Sequence, residues 1–174
     1  PEVARLVARA QAYPAEAAHI AVEGVRRLID YQDIAYAALY LQRLDALAAA
    51  RGTDAALLAE TARHLALWMS YEDVIRVADL KTRASRFERV TNEVHAKQEQ
   101  VLHIQEFMHP RLEEICETLP AGLGRWLARP HAVHRLVGRF TREGRIVHTS
   151  SLGGFLTLYL LARWRRGRRS SRAT

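Results

Sequence analysis

The sequence is poor in the residues that build covalent or metal-linked structure, with one cysteine, Cys116, among 174 residues. A single cysteine excludes a disulfide within the chain and a thiolate cluster for zinc or for iron and sulfur. This cysteine usage is typical of the reducing cytoplasm, where we expect the protein to reside. The first residues also lack the basic stretch, long apolar run and small-residue cleavage site of a signal peptide.

Proline and glycine, which interrupt regular structure, are scarce in the first two thirds of the chain. No proline lies between Pro14 and Pro110, and Gly24 and Gly52 are the only glycines before residue 122. This spacing favours long helices over strands and tight turns. With 49% apolar residues, the chain can bury a core of its own. We therefore predict a single, mainly α domain over residues 1–174, an irregular bundle of about six to eight helices.

Apolar spacing and capping signals place the helices of the first two thirds. One helix is predicted over 2–12, because the residue before a proline avoids the helical region. Residues 15–51 form either one long helix or two helices broken near Asp30. Thr53 is the predicted N-cap of the next helix. Ser70, followed three residues later by Asp73, resembles a capping box for a helix that runs to about residue 95.

The last third is predicted to hold shorter elements. Residues 101–107 and 145–149 alternate loosely between polar and apolar residues and are expected to pair as a small ribbon. Helices are predicted from Pro110 to residue 118, around 125–127, and from 152 to about 166.

The charges are distributed unevenly along the chain. Residues 1–120 hold 14 basic and 18 acidic residues, a balance of −4, whereas residues 121–174 hold 12 arginines and one acid, a balance of +11. An arginine-rich end is able to bind nucleic acid or a membrane surface. No recognisable nucleic-acid motif accompanies it, and the apolar run over 155–162 is far shorter than the ~20 residues that span a bilayer. We therefore expect neither partner.

No catalytic, cofactor-binding or metal site is predicted from motifs. Gly122 and Gly124 lack the third glycine and the preceding strand of a dinucleotide fold. No two histidines have the i,i+4 spacing that presents two metal ligands on one helix face. His131 with His134, and His109 with Glu113, are best explained as helix surface, and Cys116 as a small core residue.

Two segments carry more aromatic and acidic residues than plain packing needs. Asp33, Tyr36 and Tyr40 share one side of a helix, and Asp73 lies on an apolar stripe, where an unpaired carboxylate is prohibitive. Asp73 is expected to cap its own helix, and Asp33 to bond a core tyrosine or pair with an arginine. The candidate site residues, forming a buried polar cluster or an interface, are Tyr31, Asp33, Tyr36, Tyr40, Tyr71 and Asp73. A pocket near Tyr36 and Tyr71 would instead favour a regulatory bundle that binds a small ligand.

Three stretches also carry a resemblance: YQDIAYAALY (31–40), MSYEDVIRVADLK (69–81) and HTSSLGGFLTLYLL (148–161). They resemble the helical C-terminal region of indolepyruvate oxidoreductase beta-type subunits, in the 2-oxoacid:ferredoxin oxidoreductase family. The resemblance runs over most of the chain. It implies a larger enzyme that oxidatively decarboxylates indolepyruvate or another aryl pyruvate to the acyl-CoA, with thiamine diphosphate and iron–sulfur clusters.

The resemblance places those cofactors in other domains or in a partner subunit. It implies an oxoacid oxidoreductase domain upstream of Pro1 and a thiamine diphosphate-carrying subunit as partners, and it carries no catalytic residue onto this chain. The sequence also lacks the Gly-Asp-Gly and Asn pattern that holds magnesium and the diphosphate. We therefore expect a non-catalytic accessory or assembly domain. The apolar arc over 31–40 and the stripe over 155–164 are the surfaces that an assembly would cover.

Overall fold

The computed structural model describes residues 1–97, 100–108, 111–141 and 144–170. About 72% of these residues are helical, and one two-stranded sheet accompanies the helices. The predicted mainly α class with a short ribbon is confirmed. The chain divides into two compact units, Pro1–Tyr71 and Glu72–Thr174, and each is described by itself. A single domain over 1–174 stays a prediction.

The first unit contains four helices, α1 (Glu2–Gln11), α2 (Ala15–Tyr31), α3 (Ile34–Ala48) and α4 (Ala55–Trp68). Residues 15–51 therefore form two helices, one of the two arrangements predicted. The second of them begins after Asp33, whose side chain accepts a hydrogen bond from the Tyr36 backbone N–H at 2.9 Å. The predicted cap at Thr53 is wrong by one residue. Asp54 caps α4, and the Thr53 hydroxyl donates to the Leu47 carbonyl.

Small residues let α2 and α4 approach closely. The buried positions of α2 include Ala17, Ala21 and Gly24, which are spaced by four and three residues and so share one face. The buried positions of α4 include Ala59, Ala62 and Ala66, on one face for the same reason. Tyr40 of α3 fills the space that Gly24 leaves and donates its hydroxyl to the Ala62 carbonyl at 3.0 Å.

A cluster of polar side chains connects α1 with α3 by hydrogen bonds beside this core. The Tyr13 hydroxyl and the Arg9 guanidinium both donate to the carboxylate of Asp45. Burial alone would raise the pKa of Asp45, but the hydrogen bonds from Tyr13 and Arg9 bring it below its ordinary value. Burial and the same hydrogen bond raise the pKa of Tyr13. Asp45 is therefore held in its charged form, as an acceptor for both donors.

The second unit begins with α5 (Val74–Thr82) and α6 (Ala84–Glu93). One helix was predicted, with its cap at Ser70 and its end near residue 95. The predicted cap is wrong, and so is the prediction of a single continuous helix. Asp73 is the N-cap of α5, since its carboxylate accepts from the Arg76 N–H at 2.7 Å, and the Ser70 hydroxyl donates to the Ala66 carbonyl. Arg83 has an extended backbone, with φ −70° and ψ 136°, and separates the two helices.

The predicted ribbon is confirmed. Strands β1 (Gln105–Met108) and β2 (Arg145–His148) pair antiparallel, with Phe107 opposite Ile146. The Phe107 ring covers Gly144, where a Cβ atom would lie 2.1 Å from the ring. A side chain at this position would require the exposed Phe107 ring to move.

The remaining helices are α7 (Leu112–Thr118), α8 (Ala121–Ala128), α9 (Ala132–Thr141) and α10 (Leu152–Arg163), followed by a 3₁₀ helix (Trp164–Ser170). The predicted start of α7 at Pro110 lies outside the described residues, as does His109. The ten α-helices of the described ranges exceed the six to eight predicted because α5 and α6 are separate and because no bounds were predicted for α9, although His131 and His134 were expected on a helix surface.

The α9 helix has an unusual cap. His131 Nδ1 accepts from the His134 backbone N–H at 3.2 Å, and the other ring nitrogen lies 2.9 Å from the Trp126 carbonyl of α8. His134 Nδ1 lies 2.9 Å from the Leu127 carbonyl. Both rings therefore join the start of α9 to the end of α8. Histidine is not a preferred N-cap residue, so no start signal for this helix is visible in the sequence.

The close contact at Gly24 predicts an unusual response to alanine. A Cβ atom there would lie 2.5 Å from the Tyr40 hydroxyl oxygen. Although alanine favours helix over glycine by about 0.5–1 kcal/mol, we expect Gly24→Ala to lower the free energy of unfolding by about 1 kcal/mol or more, because overpacking costs about 1–3 kcal/mol. Urea titration followed by circular dichroism measures the change.

The matched control is Gly122→Ala in α8, where a Cβ atom has no neighbour within 4 Å. This variant should be as stable as the parent chain or more so. Equal effects of the two substitutions would contradict the packing described for Tyr40.

Candidate functional site

Of the six candidate site residues, four lie in or beside the core of the first unit, Tyr71 is exposed, and Asp73 forms an ion pair. Tyr31 and Tyr40 are buried, Tyr36 is half-buried with its ring centroid 6.1 Å from that of Tyr31, and Asp33 caps α3. Ala37 of the same segment and Leu41, which follows it, are fully buried. Most of the apolar arc over 31–40 is therefore core of the first unit. Tyr71, at the end of that unit, is 42% exposed.

Asp73 has the partner that its apolar surroundings require. The Arg168 guanidinium donates from Nε to Oδ2 at 2.6 Å and from Nη2 to Oδ1 at 2.9 Å. The Arg168 and Asp73 side chains are only 3% and 9% exposed. Such a paired, fork-shaped contact is the strong form of ion pair. The expected cap is confirmed, and Arg168 is the functional partner that sequence reasoning missed, although the need for a cation at Asp73 was visible.

Helix α10 is apolar on both sides, and its only polar side-chain groups are those of Thr157 and Arg163 and the Tyr159 hydroxyl, which accepts a hydrogen bond from Arg163. Leu158 faces inward and is 2% exposed, and α10 packs against α5. The outward side presents large apolar residues at successive intervals of four, three, one and four positions. This surface, the α10 stripe, consists of Leu152 (76% exposed), Leu156 (43%), Tyr159 (40%), Leu160 (67%) and Trp164 (49%).

A groove of about 470 Å³ continues from the α10 stripe, because Leu152 belongs to both. Its apolar wall includes Phe87, Leu102 and Ile104, and the Phe155 ring lies 6.2 Å from that of Phe87. The polar groups of the wall are hydroxyls, and no lining residue is charged. Phe155, an expected surface residue, is half-buried in this groove.

This surface contains no recognisable catalytic arrangement. Across the described ranges, no three His, Cys, Asp or Glu side chains are grouped so that they could hold a metal ion. Cys116 is buried in α7, as predicted for a core residue. Within those ranges, too, no helix has the length and apolar character that crossing a membrane requires. What the α10 stripe can do chemically is bury apolar area against another surface.

The fold and the site thus define a mainly helical region that presents an apolar face. The chain belongs to the DUF6537 family, described as a family of unknown function, whose model matches residues 17–172. Comparison with curated proteins and with solved structures found no significant match to this chain.

The ion pair between Asp73 and Arg168 generates a prediction about stability. Asp73→Asn keeps an oxygen that can cap α5 but removes the carboxylate charge that faces the buried Arg168 guanidinium. Breaking a buried pair in this way costs about 3 kcal/mol or more. We expect this loss in the free energy of unfolding, measured by urea titration of the full chain.

Asp54→Asn is the matched control, because Asp54 caps α4 in the same way, with its carboxylate 2.7 Å from the Leu57 backbone nitrogen, at an exposed position. Its effect should be no more than a few tenths of a kcal/mol, since Asn and Asp cap about equally well. Losses of equal size in the two variants would show that the pair adds nothing to stability.

Proposed function

We propose that this region is a non-catalytic accessory and assembly domain of an indolepyruvate (aryl pyruvate):ferredoxin oxidoreductase. The whole enzyme would oxidatively decarboxylate a 2-oxoacid to its acyl-CoA in the cytoplasm. The resemblance of residues 31–40, 69–81 and 148–161 suggests the enzyme. The observation that carries the assembly role is the α10 stripe, in which four large apolar side chains of α10 and Trp164, the first residue of the 3₁₀ helix, are exposed.

The exposure of the stripe is costly unless a partner covers it. Burying a large apolar side chain from full exposure stabilises by about 1.5–3 kcal/mol. The five residues of the stripe are 40–76% exposed, so covering them would contribute roughly 5 kcal/mol before the costs of association. A helix that is apolar all round is normally buried. The stripe therefore supports a contact with another protein surface.

The proposed occupants of the stripe are the catalytic domain of the same polypeptide and the thiamine diphosphate-carrying subunit. The residues of this chain do not fit an iron–sulfur cluster, because such clusters need four ligands, mostly cysteine thiolates, and Cys116 is the only cysteine. The proposal accordingly assigns thiamine diphosphate and the clusters to other parts of the enzyme. The contribution of this region is to position those parts.

Substitutions in the stripe should weaken assembly without affecting folding. Leu156→Gln and Leu160→Gln each place a polar group at the centre of the exposed face, and truncating or altering an interface anchor commonly costs about 1–2 kcal/mol, or roughly tenfold in Kd or more. We expect each change to weaken capture of this chain by the thiamine diphosphate-carrying subunit while leaving the melting temperature nearly unchanged. Co-purification from the co-expressed enzyme and thermal melting measure the two effects.

Leu136→Gln is the matched control, because Leu136 of α9 is 56% exposed and lies outside the stripe. It should alter neither assembly nor melting. An enzyme that stays assembled and active after deletion of residues 1–174 would refute the assembly role, and so would stripe variants that lower only the melting temperature.

A further inference from the structure

The apolar groove beside α10 is a concave feature to which the assembly role assigns no occupant. Its volume of about 470 Å³ lies within the range of about 300–1,000 Å³ that is usual for small-molecule sites. Its apolar wall consists of Phe87 of α6, Leu102 and Ile104 before β1, and Leu152 and Phe155 of α10. All five residues belong to Glu72–Thr174, so the groove is formed within one compact unit.

Two aromatic rings of the wall are held in place by neighbours outside the groove. The ring centroids of Phe87 and Phe155 lie 6.2 Å apart, with the ring planes tilted by 52°. The Phe155 ring also stacks on that of Tyr159, at 5.9 Å and 14°, and the Arg86 guanidinium lies 5.7 Å from the Phe87 centroid. Contacts between aromatic rings stabilise beyond the burial of their area. The wall therefore favours a ligand with an aromatic ring over a saturated one.

The lining of the groove offers no counter-charge to an ionised ligand. None of the residues that line it is charged. Arg86, the cation that lies beside Phe87, is paired with the carboxylate of Glu106. Because burying a carboxylate or phosphate without a counter-charge costs far more than burying a neutral group, the groove favours an uncharged ligand.

The hydroxyl groups of the lining leave one donor available to a ligand. Three of them, those of Thr91, Thr149 and Ser151, donate to backbone carbonyls, at 2.8, 3.4 and 2.8 Å respectively. The Ser150 hydroxyl accepts from the Ile104 backbone N–H at 3.0 Å. Its own proton is donated to none of the residues that the structure describes. Ser150 can therefore donate one hydrogen bond to an acceptor in the groove.

We propose that the apolar groove binds an uncharged small molecule with an aromatic ring and a hydrogen-bond acceptor such as a carbonyl oxygen. The ring packs against Phe87 and Phe155, and the acceptor receives the hydrogen bond from the Ser150 hydroxyl. This arrangement is typical of small-molecule sites, in which an apolar wall supplies area and a few polar groups fix the orientation. The ligand site is independent of the proposed assembly role, because all of its residues belong to this chain.

The test is an NMR titration of the full chain with three probes: acetophenone, cyclohexyl methyl ketone and sodium benzoate. Acetophenone has the aromatic ring and the carbonyl, the second ketone has a saturated ring, and benzoate adds a negative charge. We expect saturable binding of acetophenone at millimolar concentration or below. Cyclohexyl methyl ketone should bind roughly two- to tenfold more weakly, because it lacks the contact between aromatic rings. Benzoate should bind more weakly than acetophenone by at least about tenfold.

Three outcomes of the titration would overturn the proposal. The first is the absence of saturable acetophenone binding at millimolar concentration. The second is benzoate binding as tight as that of acetophenone, which would show that the ligand is an anion. The third is equal affinity for the two ketones, which would show that the aromatic wall does not select the ligand.

Phe155→Leu locates the site, because it keeps an apolar wall but removes one ring. The preference for acetophenone over cyclohexyl methyl ketone should shrink or disappear in this variant, and a ratio of affinities does not depend on the stability of the fold. Phe87→Leu gives the same test from α6 if Phe155→Leu fails to fold. The matched control is Phe107→Leu, at a ring of β1 that is 74% exposed and does not line the groove. An unchanged ratio in the groove variants, or an equal loss in the control, would refute the site.

Discussion

The ion pair between Asp73 and Arg168 is the contact on which the second unit depends. It joins residues 95 positions apart, the N-cap of α5 and the terminal 3₁₀ helix. Helix α10 lies between these two ends and packs against α5. A carboxylate and a guanidinium that are both nearly excluded from water are tolerated only together. The pair therefore requires the chain to return to α5, which holds α10 in place.

The position of α10 in turn decides which apolar residues become surface. Its inward side is covered by α5, and so its outward leucines, with Tyr159 and Trp164, remain exposed. The same helix connects the apolar groove beside β1 and β2 with the stripe. One electrostatic contact and one helix pairing thus create the surface from which we propose an assembly role.

Local signals predicted much of the secondary structure. The scarcity of proline and glycine indicated long helices, Pro14 marked the break between α1 and α2, and the alternation over 101–107 and 145–149 predicted the ribbon that the structure shows at 105–108 and 145–148. Some predictions failed because a second residue nearby could give the same local signal. Thr53 and Ser70 are good capping residues, but an aspartate follows each of them and caps the helix instead. The α5–α6 break was missed because no proline or glycine marks it. The start of α9 was missed because its cap is a histidine, which is not a preferred capping residue.

The sequence by itself determined the helical class, because the period of apolar residues is a local property of the chain. It also indicated that Asp73 needed a partner, since the cost of burying a carboxylate does not depend on what supplies the cation. Only the tertiary structure decided which arginine that is, because several arginines of the C-terminal end are chemically equivalent in sequence. It likewise decided that the arc around Tyr40 is core while the stripe of α10 is exposed. Both segments have the same apolar character, and burial is set by which surfaces pack against them.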